Sequence, residues 1–567
     1  MSPSNVNVGV LADFNGQNLA NLLVKHGGEM YVKAILAPFG QVMQHLLQTS
    51  GEFWDNQCDV IVVWTFPNIV VPQFNSVLEF LEWSEEDLYK EVDVFAGLIQ
   101  RIDKRTQNIF LPTWVPPPLC GHRPSIEMKN GIGTANTLMR MNLRLAERFE
   151  TDSRIVLFNT ERWIQRAGPG AHNDKLWYLS KTPFSKTVFE EAASDMVAAL
   201  RGSKGLRKKV VLLDLDNTLW GGVVGDVGWE SVQVGGHDAV GEAYLEFQKE
   251  LKRLSSQGVI LALVSKNEES VAMETIEKKP EMLLRTRDFA GWRINWEDKA
   301  QNIVDLMAEL NLGLESAVFI DDSPQERNRV RGALPEVLVP EWPSDPLDYA
   351  RALRQLRCFD APLLSNEDRA RTRMYVSNRE RRALQVEFGS LEAWLETLDL
   401  EIGIEDVNPG NLERAGQLFN KTNQMNLSTR RMMPQDLAAW SARKENLLRI
   451  FRVKDKLGDY GVCGIASLTF CESRAKIVDF LLSCRAMGRG VEEAMLSVMA
   501  KQARDHQCQT LEVLYVPTTK NTPCLRWIEG LTCFAKQGEV FLLQLDLDVP
   551  SPKHIRIAFH SNAHVPL

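Results

Sequence analysis

The chain has 567 residues, 44% hydrophobic and 25% charged. That is ordinary globular composition, and it excludes a mostly disordered chain, a collagen-like fibre or a bundle of membrane spans. Lys and Arg total 65 against 74 Asp and Glu, a formal net charge of -9, so no nucleic-acid partner is expected and an anionic substrate has to be held by local groups. At about 100–200 residues per domain, two to four domains are expected. The opening Met1-Ser-Pro-Ser-Asn-Val-Asn7 has no basic stretch followed by an apolar one, so no signal peptide is expected. The longest apolar runs, 60–66 and 259–264, are too short for a bilayer. None of the nine cysteines forms a C-x-x-C pair, which argues against a zinc cage and for reduced thiols in a cytoplasmic protein without a membrane partner.

Strand and helix patterns alternate over the first 200 residues. Asn7–Ala12 reads as a strand, Asp13-Phe14-Asn15-Gly16 as a turn and the segment to Leu23 as a helix. Cys58–Phe66 and Ile109–Pro112 read as buried strands, Val77–Val94 as a long helix and Pro112–Leu119 as a rigid loop. This βα rhythm predicts a doubly wound parallel sheet. A short basic, glycine-containing break follows at Arg201-Gly-Ser-Lys-Gly-Leu-Arg207. A second α/β unit then has strands predicted at 210–215, 259–264, 317–321 and 337–339 and ends near Cys358. The arginine-rich, helix-like segment Arg369–Arg382 is read as a solvated face, with docking of an acidic carrier protein as the alternative. From about Ser390, β-like runs at 448–453, 462–470, 476–482, 510–515 and 540–545 surround a long helix after Gly490, which predicts an α+β unit. The expected domains are 1–200, 207–360 and 370–567.

The sharpest chemical signal is Val210-Val-Leu-Leu-Asp214-Leu-Asp216-Asn217-Thr218. An apolar strand runs into two acids at the edge where open α/β sheets bind ligands. Crowded carboxylates repel, and an oxygen-liganded divalent cation such as Mg²⁺ relieves the repulsion. Three further groups follow in order: Ser265-Lys266-Asn267 at the end of the next strand, Lys299 at the start of a helix, and Asp321-Asp322-Ser323-Pro324 at the end of another strand. A hydroxyl, backbone amides, an ammonium and two more acids complete a set suited to a phosphoryl group and its metal.

This set resembles the haloacid dehalogenase (HAD) superfamily of aspartyl phosphotransferases. The resemblance implies a role for each residue. Asp214 would be the nucleophile and Asp216 the general acid/base. Ser265 and Lys299 would hold the phosphoryl group, with Thr218, Lys266 and Asn267 among the substrate-binding residues. Asp214, the backbone of Asp216, Asp321 and Asp322 would bind Mg²⁺. Only 46 residues separate Thr218 from Ser265 and 33 separate Ser265 from Lys299, which leaves no room for a large cap domain and predicts an open site.

A narrower resemblance, to FkbH-like proteins, is carried by Asn217-Thr-Leu-Trp220-Gly-Gly-Val-Val-Gly225-Asp226, Phe319-Ile-Asp-Asp-Ser-Pro-Gln-Glu326-Arg327 and Leu176-Trp-Tyr-Leu-Ser-Lys-Thr-Pro183-Phe-Ser185. Phe419-Asn-Lys-Thr-Asn-Gln-Met-Asn426-Leu-Ser-Thr-Arg430-Arg431 and Ser483-Cys484-Arg485-Ala-Met-Gly488-Arg-Gly490-Val-Glu492 extend it over nearly the whole chain. It implies dephosphorylation of 1,3-bisphosphoglycerate and loading of the glyceryl unit, as a thioester, onto the phosphopantetheine arm of an acyl carrier protein for polyketide biosynthesis. Arg485, Gly488 and Gly490 fit an R-x-x-G-x-G loop similar to that of GNAT acyltransferases, whose amides would hold an anion at a helix start. Cys484 beside that loop is a candidate acyl carrier, and a buried structural thiol is the alternative. Asn420, Lys421, Asn423 and Asn426 read as an amide-rich helix end, with a lining of the same cleft as the alternative. The start Ala12-Asp13-Phe14-Asn15 resembles an SGNH hydrolase but lacks the serine, and His172 and Asp174 stand in the wrong order for its D-x-x-H pair, so the first domain is expected to be non-hydrolytic. The predicted fold is therefore α/β: an SGNH-like doubly wound domain, a HAD-like Rossmannoid core without a large cap, and a GNAT-like α+β domain. The rival readings are a small-molecule phosphatase fused to a CoA-dependent N-acyltransferase, and a non-enzymatic carrier-protein scaffold.

Overall fold

Val60–Trp64 is apolar and buried at every position, which requires cover on both faces of its sheet. This strand, β3, lies in a parallel sheet with β1 (Asn5–Ala12), β2 (Tyr31–Leu36), β4 (Asn108–Pro112) and β5 (Ile155–Phe158), in the order β2-β1-β3-β4-β5. The computed structural model describes residues 5–560 other than 29, 49, 104, 122–123, 237, 363–373, 377–378, 380–394, 423–424, 457, 484–485, 519–520, 539, 547–548 and 550. It forms two compact units, Met1–Arg201 and Gly202–Leu567.

In the first unit an aromatic cluster fills the space beyond the ends of β1 and β3. Trp64 stacks on Phe184 at 5.3 Å and meets Phe14 and Trp163 edge-on, each at 5.3 Å. The Trp163 indole donates to the buried Asp195 carboxylate at 2.7 Å. Phe14, in the opening Ala12-Asp13-Phe14-Asn15, is thus a fully buried core side chain. The helix predicted over Val77–Val94 is two helices, Gln73–Leu78 and Glu85–Gln100. Between them Phe80 has φ 57, a left-handed conformation that stops a helix, and Ser84 opens the second by accepting the Asp87 amide.

The second unit contains two sheets. The first holds β6 (Val210–Leu213), β7 (Ile260–Ser265), β8 (Phe289–Ile294) and β9 (Ala317–Ile320), all parallel in the order β8-β7-β6-β9. β6, β7 and β9 are buried throughout. The fourth strand is β8, whose apolar run is interrupted by Gly291 and Arg293. The strand expected at 337–339 is instead one isolated bridge from Leu338 to Val318. The intervening helices are capped by side chains that the sequence places at their starts: Asp238 before Ala239–Ser256, Asp298 before Lys299–Glu309 and Ser323 before Pro324–Ala333. Such caps satisfy the free amides of the first turn, and the last two fix where Lys299 and Asp321 stand relative to the sheet edge. Among the described residues, Thr218 to Ser265 contains only the helices Val224–Val227 and Ala239–Ser256, with no inserted domain.

The other sheet is nine-stranded and mixed. Its strands are β10 (Leu400–Glu405), β11 (Met425–Asn426), β12 (Asn446–Asp455), β13 (Gly458–Cys471), β14 (Arg474–Leu482), β15 (Thr510–Leu514), β16 (Ala535–Gln537), β17 (Val540–Gln544) and β18 (Ile555–His560). They run in the order β16-β17-β15-β14-β13-β12-β10-β18, with β11 on β14. β14 pairs in parallel with β15 over Arg474–Ile477, and its far end, Leu481 and Leu482, pairs with β11. The helix Val491–Asp505 buries Met495 and Met499 against this sheet. The fold class is thus α/β with two doubly wound parallel sheets followed by an α+β region. Most of the arginine-rich segment lies outside the described residues. Arg379 within it is not a solvated charge, since its guanidinium donates to the carbonyls of Thr286 and Phe289 at 2.9 and 2.7 Å and lies over the Trp292 ring. No helix among the described residues is long and apolar enough to cross a membrane.

Replacing Trp64, 1% exposed, by alanine leaves a cavity that this aromatic cluster cannot close. Trp64→Ala is expected to destabilise the first unit by about 3–5 kcal/mol, measured from its chemical-denaturation midpoint; a loss below about 1 kcal/mol would contradict the packing described.

Candidate active site

β6 ends at Leu213, and the Asp214 amide extends the β6–β9 pairing by donating to the Ile320 carbonyl at 3.0 Å. Asp214 therefore stands beside Asp321, the first residue past β9. Both carboxylates are buried, Asp321 completely. Lys299, the first residue of its capped helix and 4% exposed, reaches between them. Its ammonium lies 2.7 Å from Asp214 Oδ1 and 2.6 Å from Asp321 Oδ2.

Asp214, Asp321 and Asp322 each bring one carboxylate oxygen within 4.8 Å of the others. Three carboxylates against one ammonium leave negative charge in a buried space, and the titration of the groups reflects it. Burial and the charge of Asp214 push Asp321 up to about 6 even though Lys299 and the Ser323 amide pull the other way. Asp322 is raised by burial and by Asp214. Burial alone would lower Lys299, but the two carboxylates reverse this and hold it above its ordinary value. An all-oxygen cluster of this charge fits a hard divalent cation. The loop after β9 is braced from behind: buried Arg327 donates to the carbonyls of Asp321 and Asp322, both at 2.7 Å, and the Ser323 amide donates to Asp321 Oδ1 at 2.8 Å.

The turn between Asp214 and Thr218 is set by Asn217, which has φ 53. This left-handed position is tolerable for Asn, and three donors lock it: the hydroxyls of Tyr244 and Tyr349 on its carbonyl at 3.2 and 3.0 Å, and the Gly222 amide on Oδ1 at 2.9 Å. Past this turn Asp216 has its own set of donors, although the charge of Asp214 still acts on it. Asp216 Oδ1 accepts from the Trp220 indole at 2.9 Å and the Val224 amide at 3.0 Å, and Oδ2 accepts from Asn267 at 2.9 Å. Burial raises its pKa, and these donors partly offset that. The Asp216 carboxylate is thus separate from the metal-type cluster, which leaves only its backbone for the metal contact implied by the HAD resemblance.

The remaining expected residues are distributed as follows. Ser265 is buried at the end of β7, and its carbonyl accepts from the Asn295 amide at 3.2 Å. Thr218 is engaged with Asp322: its hydroxyl lies 3.2 Å from Asp322 Oδ1 and accepts the Asp322 amide at 3.1 Å. Lys266 forms an ion pair with Glu326 at 2.7 Å. In the third region, Gly488 and Gly490 take φ 75 and 81. The Gly488 amide donates to Glu492 Oε1 at 2.8 Å, and burial pushes that carboxyl up to about 7. A Cβ at Gly490 would meet Pro552 and His554 at 3.1 and 3.2 Å, and His554 Nε2 lies 2.9 Å from the Arg489 carbonyl. In the described part of this loop the Gly488 amide is thus engaged by Glu492. Cys484 and Arg485 lie outside the described residues, as do Asn423 and Gln424. Asn420, near the end of the helix Pro409–Lys421, donates to the carbonyls of Gly416 and Met432, and Asn426, in β11, donates to the carbonyl of Thr422. Trp220 and Arg327 stand within quoted motifs of the sequence but were given no role there, and the supporting residues Tyr244 and Tyr349 were not singled out at all. Trp220, four residues past Asp216, and Arg327, six past Asp321, stand close in the chain to the groups they brace.

No family model and no curated protein matches the chain. Among solved structures, it is similar to the N-terminal part of the protein BF1531 from Bacteroides fragilis, which contains a phosphatase domain and is complexed with Mg. Identity is 29% and the TM-score 0.57, over 64% of this chain and 96% of that one. The ribosomal-protein-S18-alanine N-acetyltransferase from Escherichia coli aligns with 25% of this chain and 94% of its own, at 11% identity and a TM-score of 0.21. The spermidine N-acetyltransferase from Vibrio cholerae, in complex with CoA and spermine, aligns with 26% of this chain and 96% of its own, at 12% identity and a TM-score of 0.21.

If Asp214, Asp321 and Asp322 hold the cation, Asp322→Asn is expected to weaken Mg²⁺ binding at least about tenfold, measured by titration calorimetry on the full chain. Unchanged affinity would remove Asp322 from the metal site.

Proposed function

We propose that the second unit contains a Mg²⁺-dependent aspartyl phosphotransferase of the HAD type. The observation that carries this is the buried Asp214–Lys299–Asp321 contact beside Asp322, at the edge of a parallel sheet. In this reading an Asp214 oxygen attacks phosphorus, the bond from phosphorus to the leaving oxygen breaks, and Asp216 gives that oxygen a proton. Asp216 then takes a proton from water as the water attacks the aspartyl phosphate, and inorganic phosphate leaves. Lys299 and Ser265 hold the phosphoryl oxygens. Mg²⁺, held by Asp214, Asp321 and Asp322, supplies fixed positive charge for the phosphoryl group. The similarity to the Mg-bound phosphatase-containing part of BF1531 supports the metal and the reaction class.

We further propose that the substrate is 1,3-bisphosphoglycerate and that the glyceryl group is loaded onto the phosphopantetheine thiol of an acyl carrier protein. The 3-phosphate ester is the bond for Asp214. The 1-acyl phosphate is already activated, so a thiolate can attack its carbonyl carbon, forming a thioester as the carbon–oxygen bond to phosphate breaks and phosphate leaves with the electron pair. Cys484 would be the first thiol and the carrier arm the second, with Arg485, Gly488 and Gly490 at the arm's docking loop. The absence of an inserted domain beside the acid cluster, among the described residues, supports access by a carrier protein. The same reading divides the chain at 1–200, 207–360 and 370–567, with a GNAT-like last domain and a non-hydrolytic first one.

The test is intact-mass analysis of the enzyme and a pantetheinylated carrier after incubation with 1,3-bisphosphoglycerate and Mg²⁺. A glyceryl adduct on the carrier is expected with the wild type, and loss of phosphate-ester hydrolysis with Asp214→Asn. Loss of the adduct in Cys484→Ala would assign the first thiol. Phosphate release with no adduct, together with acyl-CoA-dependent modification of an amine, would replace this reading by a phosphatase fused to an N-acyltransferase. No Mg²⁺-dependent phosphate release at all would leave a carrier-protein scaffold.

A further inference from the structure

Resting on the HAD-type reaction above, we propose that Asn267 is a positioning residue that orients Asp216, and not a ligand of the phosphoryl group. Asn267 lies two residues past Ser265 and is 4% exposed. Both ends of its carboxamide are committed. Oδ1 accepts the Glu268 amide at 3.1 Å, and Nδ2 donates to Asp216 Oδ2 at 2.9 Å. The first bond fixes which way the amide faces, because only an oxygen can accept a backbone N–H. The nitrogen is thereby turned toward Asp216.

Asp216 is also held on its other side. Oδ1 takes the Trp220 indole and the Val224 amide, at 2.9 and 3.0 Å. With donors on both oxygens the carboxyl plane cannot turn, and the open lone-pair direction on Oδ2 is fixed. General acid–base catalysis needs that direction within hydrogen-bond reach of the reacting oxygen. The clamp joins two strand ends, since Trp220 and Val224 follow β6 while Asn267 follows β7. By the HAD resemblance Asn267 is grouped with Ser265 and Lys266 among the substrate-binding residues. The structure divides the three, with Lys266 paired to Glu326 and Asn267 to Asp216.

The test is steady-state hydrolysis of p-nitrophenyl phosphate with Mg²⁺ by the full chain. Asn267→Ala is expected to lower kcat at least about tenfold and to leave KM within about twofold. Trp220→Phe, which removes the other side-chain donor and keeps the ring, is expected to show the same split. In an Asp216→Asn background the added Asn267→Ala is expected to cost less than about twofold, because a residue acting through Asp216 has nothing left to orient. Mg²⁺ affinity of Asn267→Ala by calorimetry should match the wild type, which separates mispositioning from misfolding. A KM raised about tenfold with kcat retained, or an equal loss in the Asp216→Asn background, would overturn the proposal and return Asn267 to the phosphate ligands. Wild-type protein that releases no phosphate defeats the reaction reading itself, before any variant is compared.

Discussion

The site is organised by one buried ammonium between two buried carboxylates. Lys299 lies within 2.7 Å of Asp214 and Asp321, in a place where each charge alone would be costly to desolvate. The contact requires three elements to be in register: the end of β6, the end of β9 and the first turn of the helix Lys299–Glu309. It does not balance the charge, because one ammonium faces two carboxylates and Asp322 adds a third. A divalent cation would neutralise the residual negative charge, so in the proposed reading the arrangement that holds the elements together would also hold the metal. Removing a carboxylate would leave the ammonium less compensated, and removing the ammonium would leave the acids to repel.

Around this contact the chain places its polar residues as braces. The left-handed turn at Asn217 is held by two tyrosine hydroxyls, Arg327 holds the carbonyls of the Asp321–Asp322 loop, and Thr218 ties that loop to the turn after β6. The proposed nucleophile and acid/base thus sit two residues apart on one turn in different surroundings: Asp214 contacts the lysine beside the other acids, and Asp216 accepts from an indole and two amides. Two carboxyls with separate partners can do separate work, which is the requirement of a double-displacement reaction.

Much of this was legible in the sequence because the central strands of the α/β sheets are unbroken apolar runs that end in charged residues. β6, β7 and β9 declare themselves in that way, β3 as an apolar run alone, and Asp214, Lys299, Asp321 and Asp322 are found at strand ends or at a helix start. β2 and β5 are partly exposed edge strands, and β8 contains a glycine and an arginine, so their patterns were weaker. The run at 337–339 looked like a strand but makes one bridge. Tyr349 lies 132 residues from the carbonyl it bonds, a relation that no local pattern encodes. Thr218, Lys266 and Asn267 are given by the family resemblance as substrate-binding residues. Their partners Asp322, Glu326 and Asp216 are set by the packing of neighbouring strand ends, which proximity does not reveal.

The central claim is that Asp214, held in this cluster, accepts the phosphoryl group. Rapid acid quench during turnover with Mg²⁺, followed by peptide mass analysis, measures it directly. The account predicts a Mg²⁺-dependent phosphate on the peptide containing Asp214 and none in Asp214→Asn; turnover with that peptide unmodified, or with the phosphate on another residue, would contradict it.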